Sequence, residues 1–326
     1  MFLVNVPYSN ANYYYFQSFQ FATMDRSKMI DLVKKCIPPL DGTHHKGQAG
    51  RIGVIGGSLE YTGAPYFAAT AALKVGADLV HIFCTNAAAT VIKSYSPELI
   101  VHPLLDEVNA FHKISQWLER LHVVVIGPGL GREEKTFKVV SELIHLIREK
   151  QKPLIIDADG LFLITETPEL IRNFTSPVVL TPNKIEFERL YNKVQGNSGL
   201  KALGKDVIIL RKGESDELLC SYAPEVQWKY NIDGSGRRCG GQGDLLSGSL
   251  ATFLHWTTSS LDKIDHDISD KKLLASSLSC FAASALIRSC NKKAFQKKGR
   301  SMLAADMIEF IHEGFTEFYG EIKSLF

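Results

Sequence analysis

The chain has 326 residues, 45% of them hydrophobic, enough for a substantial core in one large domain or two small ones. Lys and Arg total 37 against 35 Asp and Glu, a balance with no net field to recruit nucleic acid or an acidic membrane face, so small molecules are the expected ligands. Six cysteines (Cys36, Cys84, Cys220, Cys239, Cys280 and Cys290) are scattered without a CxxC pair, and the histidines show no metal spacing. That usage suits reduced thiols in a cytosol-like compartment better than a disulfide framework or a zinc site.

In chain order, residues 1 to 23 carry no charged side chain, unlike an Arg-rich transit peptide or a secretory signal with a basic start. Residues 1–40 are expected to be a poorly ordered extension, with Met24 an alternative start, and residues 41–326 a single catalytic domain. The expected compartment is the cytoplasm, with mitochondria left open. No apolar run approaches the roughly 20 residues that span a bilayer, so no membrane is expected. A homo-oligomer is left open.

From Arg51 onward, short apolar runs alternate with helix-length segments. The strand candidates are RIGVIGG (51–57), DLVHIFC (78–84), ELIVHPL (98–104), HVVVIGPG (122–129), PLIIDAD (153–159), PVVLTPN (177–183) and DVIILRKG (206–213). Runs apolar on both faces predict a mostly parallel central sheet flanked by helices on both faces, an α/β fold. ELLCSYAPEVQWKYN (217–231) predicts two antiparallel edge strands around a turn at Ala223-Pro224. Helices are predicted near 241–256, 270–290 and 303–318, and the basic run from Asn291 to Arg300 reads as a solvated loop.

Two nucleotide motifs fail on inspection. IGPGLGR (126–132) starts like a dinucleotide fingerprint, but Arg132 occupies the third glycine position. GLKALGKD (199–206) has Asp206 where a P-loop needs a hydroxyl, and its strand follows instead of preceding. A different cradle comes later, in GSGRRCGGQGDLLSG (234–248). Gly240, Gly241 and Gly243 let backbone N–H groups turn toward one point, and the helix predicted from about Leu245 adds its positive end, which suits phosphate oxygens. Asp244 at that lip is either a helix cap or a base that takes a proton from an attacking hydroxyl.

GGQGD (240–244) is similar to the glycine-rich anion hole and aspartate of the ribokinase-like fold. HKGQAGRIGVIGGSLEYTGAPYFAATAALKVGADLV (45–80), VVIGPGLGR, LIIDADGL, LTPNKIEFERL, LRKGESD and GSGRRCGGQGDLLSG follow in the order and spacing of the ATP-dependent NAD(P)H-hydrate dehydratases of the eukaryotic type. The resemblance covers about residues 40 to 320. Gln242 departs from the Ala or Thr common in the wider fold, at a place where backbone N–H groups do the binding.

The resemblance implies a ribokinase-like domain that uses ATP, with Mg²⁺, to dehydrate the S epimer of hydrated NADH or NADPH. It makes Asp244 the base. It assigns the hydrated dinucleotide to Gly129, Gly131, Asn183, Lys184, Ile185, Glu186, Phe187, Glu188, Arg189 and Asp244. ATP falls to Lys212, Gly213, Glu214, Ser215 and Asp216, and to Gly234, Ser235, Gly236, Arg237, Arg238, Cys239, Gly240, Gly241, Gln242 and Gly243. Glu186 becomes the Mg²⁺ candidate. Read without the resemblance, Asn183 and Glu186 form a capping-box pair, KGESD (212–216) is a hairpin turn, Gly129 and Gly131 punctuate a strand-to-helix junction, and Asp157 and Asp159 end a central strand, where α/β folds gather ligands, or are simply helix caps. GGSLEYTGAP (56–65) is placed near the substrate. The alternatives are a ribokinase-fold kinase of a vitamin-like alcohol such as a hydroxyethylthiazole or pyridoxal, and a non-catalytic nucleotide-binding protein.

Overall fold

The structure, a computed structural model, describes residues 25 to 320 apart from 44, 197, 198, 265 and 267. Nine strands form one sheet: β1 (Arg51–Ile55), β2 (Leu79–Cys84), β3 (Ile100–Pro103), β4 (Val123–Ile126), β5 (Leu154–Ile156), β6 (Val178–Leu180), β7 (Val207–Arg211), β8 (Asp216–Leu219) and β9 (Trp228–Tyr230). Their order is β3-β2-β1-β4-β5-β6-β7-β8-β9. The first seven are parallel, and β8 and β9 close one edge antiparallel, as the sequence predicts.

The helices are α1 (Arg26–Cys36), α2 (Gly63–Val75), α3 (Asn86–Tyr95), α4 (Ala110–Leu118), α5 (Glu134–Glu149), α6 (Ala158–Glu166), α7 (Lys184–Val194), α8 (Gln242–Thr258), α9 (Lys271–Lys298), α10 (Ala304–Ile308) and α11 (Ile311–Tyr319). Because successive strand residues point to opposite faces, Val123 and Val125 join one core while Val124 and Ile126 join the other. The first core lies under α1, α2, α3, α8, α9 and α11, the second under α4, α5, α6 and α7. Continuous apolar strands are thus what a sheet covered on both sides requires.

Three expectations change. The extension does not reach residue 40, since α1 buries Met29, Leu32, Val33 and Cys36 in the first core; residues 1–24 lie outside the described residues. The basic run from Asn291 is no loop. Asn291–Lys298 continues α9, burying Asn291 and Ala294 while its lysines point outward, as one face of a 3.6-residue repeat allows. A stretch within Lys271–Ser301 is long and apolar enough to cross a membrane, but 94% of its apolar window is buried inside the protein; it is the core helix under the sheet.

Strand order reverses between β1 and β4, and in open parallel sheets ligands gather beyond the carboxyl ends of the strands at such a switch. The loops leaving β1 (Gly56), β4 (Gly127), β5 (Asp157), β6 (Thr181) and β7 (Lys212) all emerge there.

Candidate active site

The site is built around one ammonium. Lys212, the residue after β7, is fixed by its N–H donating to the Pro182 carbonyl at 2.8 Å, and its Nζ donates to Asp157 Oδ1 at 2.8 Å. Asp157 is 1% exposed. It stands where α6 would take a cap, yet its side chain caps nothing, because it is committed to Lys212. The next residue, Ala158, is held at φ 46°, an uncommon backbone state for alanine that marks a spot fixed by its surroundings.

α8 brings Asp244 to the same point. The helix begins after Gly241 at φ 92°, where an added Cβ would stand 2.7 Å from Ala304 Cβ and 2.8 Å from Phe67 Cδ2. Only glycine accommodates both the left-handed backbone and that approach. A Cβ on Gly243 would lie 3.1 Å from Lys212 Nζ and 3.9 Å from Asp157 Oδ2, so the first turn of α8 rests directly on the ion pair. The first helical bond runs from Leu245 N–H to the Gly241 carbonyl, leaving the N–H groups of Gln242, Gly243 and Asp244 outside the helical ladder. Asp244 lies inside this turn and is not the cap.

The electrostatics follow from three carboxyls around one cation. Burial, then the Asp157 charge, pushes Asp244 up to about 7, with Lys212 opposing. Burial also raises Glu186, against the pull of Lys212. Burial alone would lower Lys212, but Asp157, Glu186 and Asp244 outweigh it and hold the ammonium above its ordinary value. The result is a charged Lys212–Asp157 pair beside a carboxyl that takes and releases a proton near neutrality, the property wanted in a general base.

Asn183 and Glu186 form a reciprocal capping box at the start of α7, with Glu186 Oε2 accepting from Asn183 N–H at 2.8 Å and Asn183 Oδ1 accepting from Glu186 N–H at 3.0 Å. The cap and the site coincide, since that carboxylate faces Lys212. Lys184, Ile185 and Arg189 are exposed around it and Glu188 is half-buried. Phe187 does not join them; it is 1% exposed, in the second core, stacked on Tyr191 and beneath the Arg211 guanidinium. A helix presents only one side to a ligand, and Phe187 is on the other.

The turn 212–216 and the glycine loop 234–243 are tied together. Arg238 donates to the Ser235 carbonyl at 3.2 Å and to the Gly213 carbonyl at 3.3 Å. Arg237 donates to the Met302 carbonyl at 3.3 Å, and Gln242 Nε2 donates to the Arg237 carbonyl and Cys239 Sγ, each at 3.2 Å. Gly236 and Gly240 are exposed with nothing within 4 Å of a would-be Cβ. From α9, Arg288 donates to the carbonyls of Glu214 (2.7 Å), Ile232 (3.0 Å) and Asp233 (3.1 Å), while its own carbonyl accepts from Gly234 N–H at 3.1 Å. Asp216 turns inward, accepting from Ser284 Oγ at 2.6 Å and Gly213 N–H at 3.2 Å and pairing with Arg288 at 3.6 Å. It shapes the turn, and so departs from the expected ATP set.

In the loops after β1 and β4, Gly129 accepts from Gly57 N–H at 3.0 Å, Gly131 N–H donates to Asp159 Oδ2 at 3.1 Å, and Arg132 Nε donates to Asp159 Oδ1 at 2.8 Å. Asp159 therefore holds the 127–132 loop in place. Beside it, the buried Ser58 hydroxyl has no hydrogen-bond partner among the described residues.

Arg288 lies outside every motif, while Asp157, Asp159 and Ser58, which the sequence places at a strand end or in a loop near the substrate, carry no specific role there. The signals for two of them were present: Asp157 ends an apolar run, where a carboxylate must be buried, and Arg288 is a lone cation in the apolar stretch FAASALIRSC. Such groups are retained only with partners.

A family model described as NAD(P)H-hydrate dehydratase matches residues 52–313. An ATP-dependent (S)-NAD(P)H-hydrate dehydratase of Aedes aegypti is 52% identical over 306 residues, covering 93% of this chain and 89% of the relative. Two solved structures share the fold. A ribokinase-like superfamily protein of Enterococcus faecalis superposes with TM-score 0.68 at 20% identity, covering 90% of this chain and 95% of its own. An ADP/ATP-dependent NAD(P)H-hydrate dehydratase of Bacillus subtilis, co-crystallized with ATP/Mg²⁺, superposes with TM-score 0.65 at 21% identity, covering 92% and 99%.

Proposed function

The chain belongs to the NAD(P)H-hydrate dehydratase family, and we propose how its own residues perform the reaction of its relatives, the ATP-dependent dehydration of the S epimer of hydrated NADH and NADPH. The relatives support this activity and not the vitamin-alcohol kinase. The observation that carries the assignment of roles is the Asp244 carboxyl, poised near 7 at the glycine-capped end of α8, against the Lys212–Asp157 pair.

In the substrate, water has added across a ring double bond next to the ring nitrogen, and hydroxide leaves poorly. Asp244 accepts the proton of that hydroxyl as its oxygen attacks the γ-phosphorus of ATP; the new O–P bond forms, the bond to the β-phosphate oxygen breaks, and ADP departs. The N–H groups of Gln242, Gly243 and Asp244 meet the charge on the transferring phosphoryl group, where loss of one such donor costs about 10² to 10³ in rate. The ring nitrogen then expels phosphate, and loss of a proton from the neighbouring carbon restores the double bond. The products are NAD(P)H, ADP and phosphate.

Lys212 stays protonated throughout, and supplies fixed positive charge beside the transfer path. The turn at Gly213 to Ser215 and the loop from Gly234 to Gly243 hold ATP; bare space at Gly236 and Gly240 lets the nucleotide approach the backbone. The hydrated ring enters between Gly129, Gly131 and Ser58 on one side and the start of α7 on the other.

Mg²⁺ in nucleotide sites takes one or two carboxylates together with phosphate oxygens and water. Among the described residues no group of three or more His, Cys, Asp or Glu could hold a metal unaided. That donor set suits an ion that arrives with the triphosphate, and Glu186 is the residue to meet it. The ion would offset triphosphate charge. Restoration of reduced-nicotinamide absorbance on mixing protein, hydrated NADH, ATP and Mg²⁺ tests the reading. A rise that survives omission of ATP would overturn it, as would a phosphorylated product that persists.

A further inference from the structure

The amino ends of the parallel strands, at the opposite end of the sheet from Asp244, enclose a cleft of about 600 Å³. Arg51 opens β1, His122 precedes β4, and the far end of α8 contributes His255 and Trp256. Lys263 and Ser260 line the rim.

Hydrogen bonds fix the tautomers here. Arg51 N–H donates to His122 Nδ1 at 3.2 Å, so the ring proton of His122 is on Nε2. His255 Nε2 is 3.1 Å from the Gln48 carbonyl, which can only accept, so that nitrogen bears the proton and Nδ1 accepts from Ser259 Oγ at 3.2 Å. The two imidazoles stack with centroids 4.2 Å apart. Burial, then His255, pushes His122 down to about 4, and burial lowers His255 as well, so both rings are neutral at physiological pH.

What remains is a set of donors without acceptors. Among the described residues, the Arg51 guanidinium, the Lys263 ammonium and His122 Nε2–H make no hydrogen bond or ion pair. The acid whose charge reaches both imidazoles, Asp78, spends Oδ2 on the N–H groups of Gly47 (2.8 Å) and Ala49 (2.9 Å). The Arg51 head lies over Gly47, where a Cβ would stand 2.3 Å from Nε. Unpaired donors converging on a cavity make an anion site, and a guanidinium matches tetrahedral oxyanions best.

We propose that this cleft binds a phosphate-class oxyanion, inorganic phosphate or the phosphate of a small phosphomonoester, through Arg51, His122 and Lys263. Equilibrium dialysis of the full chain with labelled inorganic phosphate tests this, with the catalytic site filled by Mg²⁺ and a non-hydrolysable ATP analogue. One phosphate per chain is expected to remain bound, weakened at least about tenfold by Arg51→Gln or by Lys263→Gln and unaffected by Asp244→Asn. Lys263 is in an exposed turn, so its variant keeps the fold if Arg51→Gln does not. Displacement of the label by ribose 5-phosphate at lower concentration than by inorganic phosphate assigns the site to phosphomonoesters; the reverse order assigns it to the free ion. No bound phosphate once the catalytic site is filled, or undiminished binding in both variants, overturns the proposal.

Discussion

Lys212 and Asp157 stand 55 positions apart in the chain and meet at 2.8 Å, Nζ to Oδ1, beneath the first turn of α8. The contact joins the ends of β5 and β7, which are separated in the sheet by β6, and sets the charge that Asp244 experiences.

The pH dependence follows from that charge. Asp244 works as a base only when ionised, so kcat/KM for the hydrated dinucleotide is expected to rise with pH through an inflection near the about 7 of the free enzyme. Asp157→Asn removes a neighbouring negative charge that raises Asp244, so the inflection moves to lower pH. An acidic limb at the ordinary carboxylate value in the parent, or an upward move in the variant, would count against the assignment.

Breaking the ion pair is expected to cost stability. Lys212→Met strands Asp157 as a buried, unpaired carboxylate, a change typically worth about 3–5 kcal/mol. Adding Asp157→Asn to it is expected to recover part of the loss. Urea unfolding of the two single variants and the double variant measures the coupling.

The glycines of the anion loop separate into two classes. Gly241→Ala meets Ala304 and Phe67 in a left-handed backbone, so it is expected to lower stability by about 1–3 kcal/mol and turnover with it. Gly240→Ala meets nothing within 4 Å, so its melting temperature stays near parental while KM for ATP rises. Equal losses of stability in both variants would contradict the geometry.

From α9, Arg288 donates to carbonyls of Glu214, Ile232 and Asp233, in the two segments proposed to hold ATP, and is proposed to position them. Arg288→Gln keeps one donor in place of the fork, and is expected to raise KM for ATP by about tenfold for each hydrogen bond lost to a charged donor, with KM for the hydrated dinucleotide little changed. A purely global defect would shift both constants together.

The parallel sheet, its antiparallel edge and the Asp244 loop were legible because each is a local pattern: apolar runs, a Pro-containing turn, glycines ahead of an apolar helix. The Lys212–Asp157 pair was not, since its halves belong to different motifs and only the stacking of β5, β6 and β7 brings them together. The resemblance places Phe187 and Asp216 among the ligand contacts because they sit inside contiguous motifs. The helix face and the strand pleat turn both inward, which a motif written along the chain does not encode. The long burial of α9 likewise hid behind its lysines, which occupy only one side of the helix.

The most direct test is a single-turnover comparison of the parent and Asp244→Asn with ATP, Mg²⁺ and hydrated NADH, following reduced-nicotinamide absorbance while ATP binding is titrated separately. The variant is expected to bind ATP with parental affinity and to restore the reduced ring about 10² to 10⁴ times more slowly. Restoration at the parental rate would show that Asp244 is not the base.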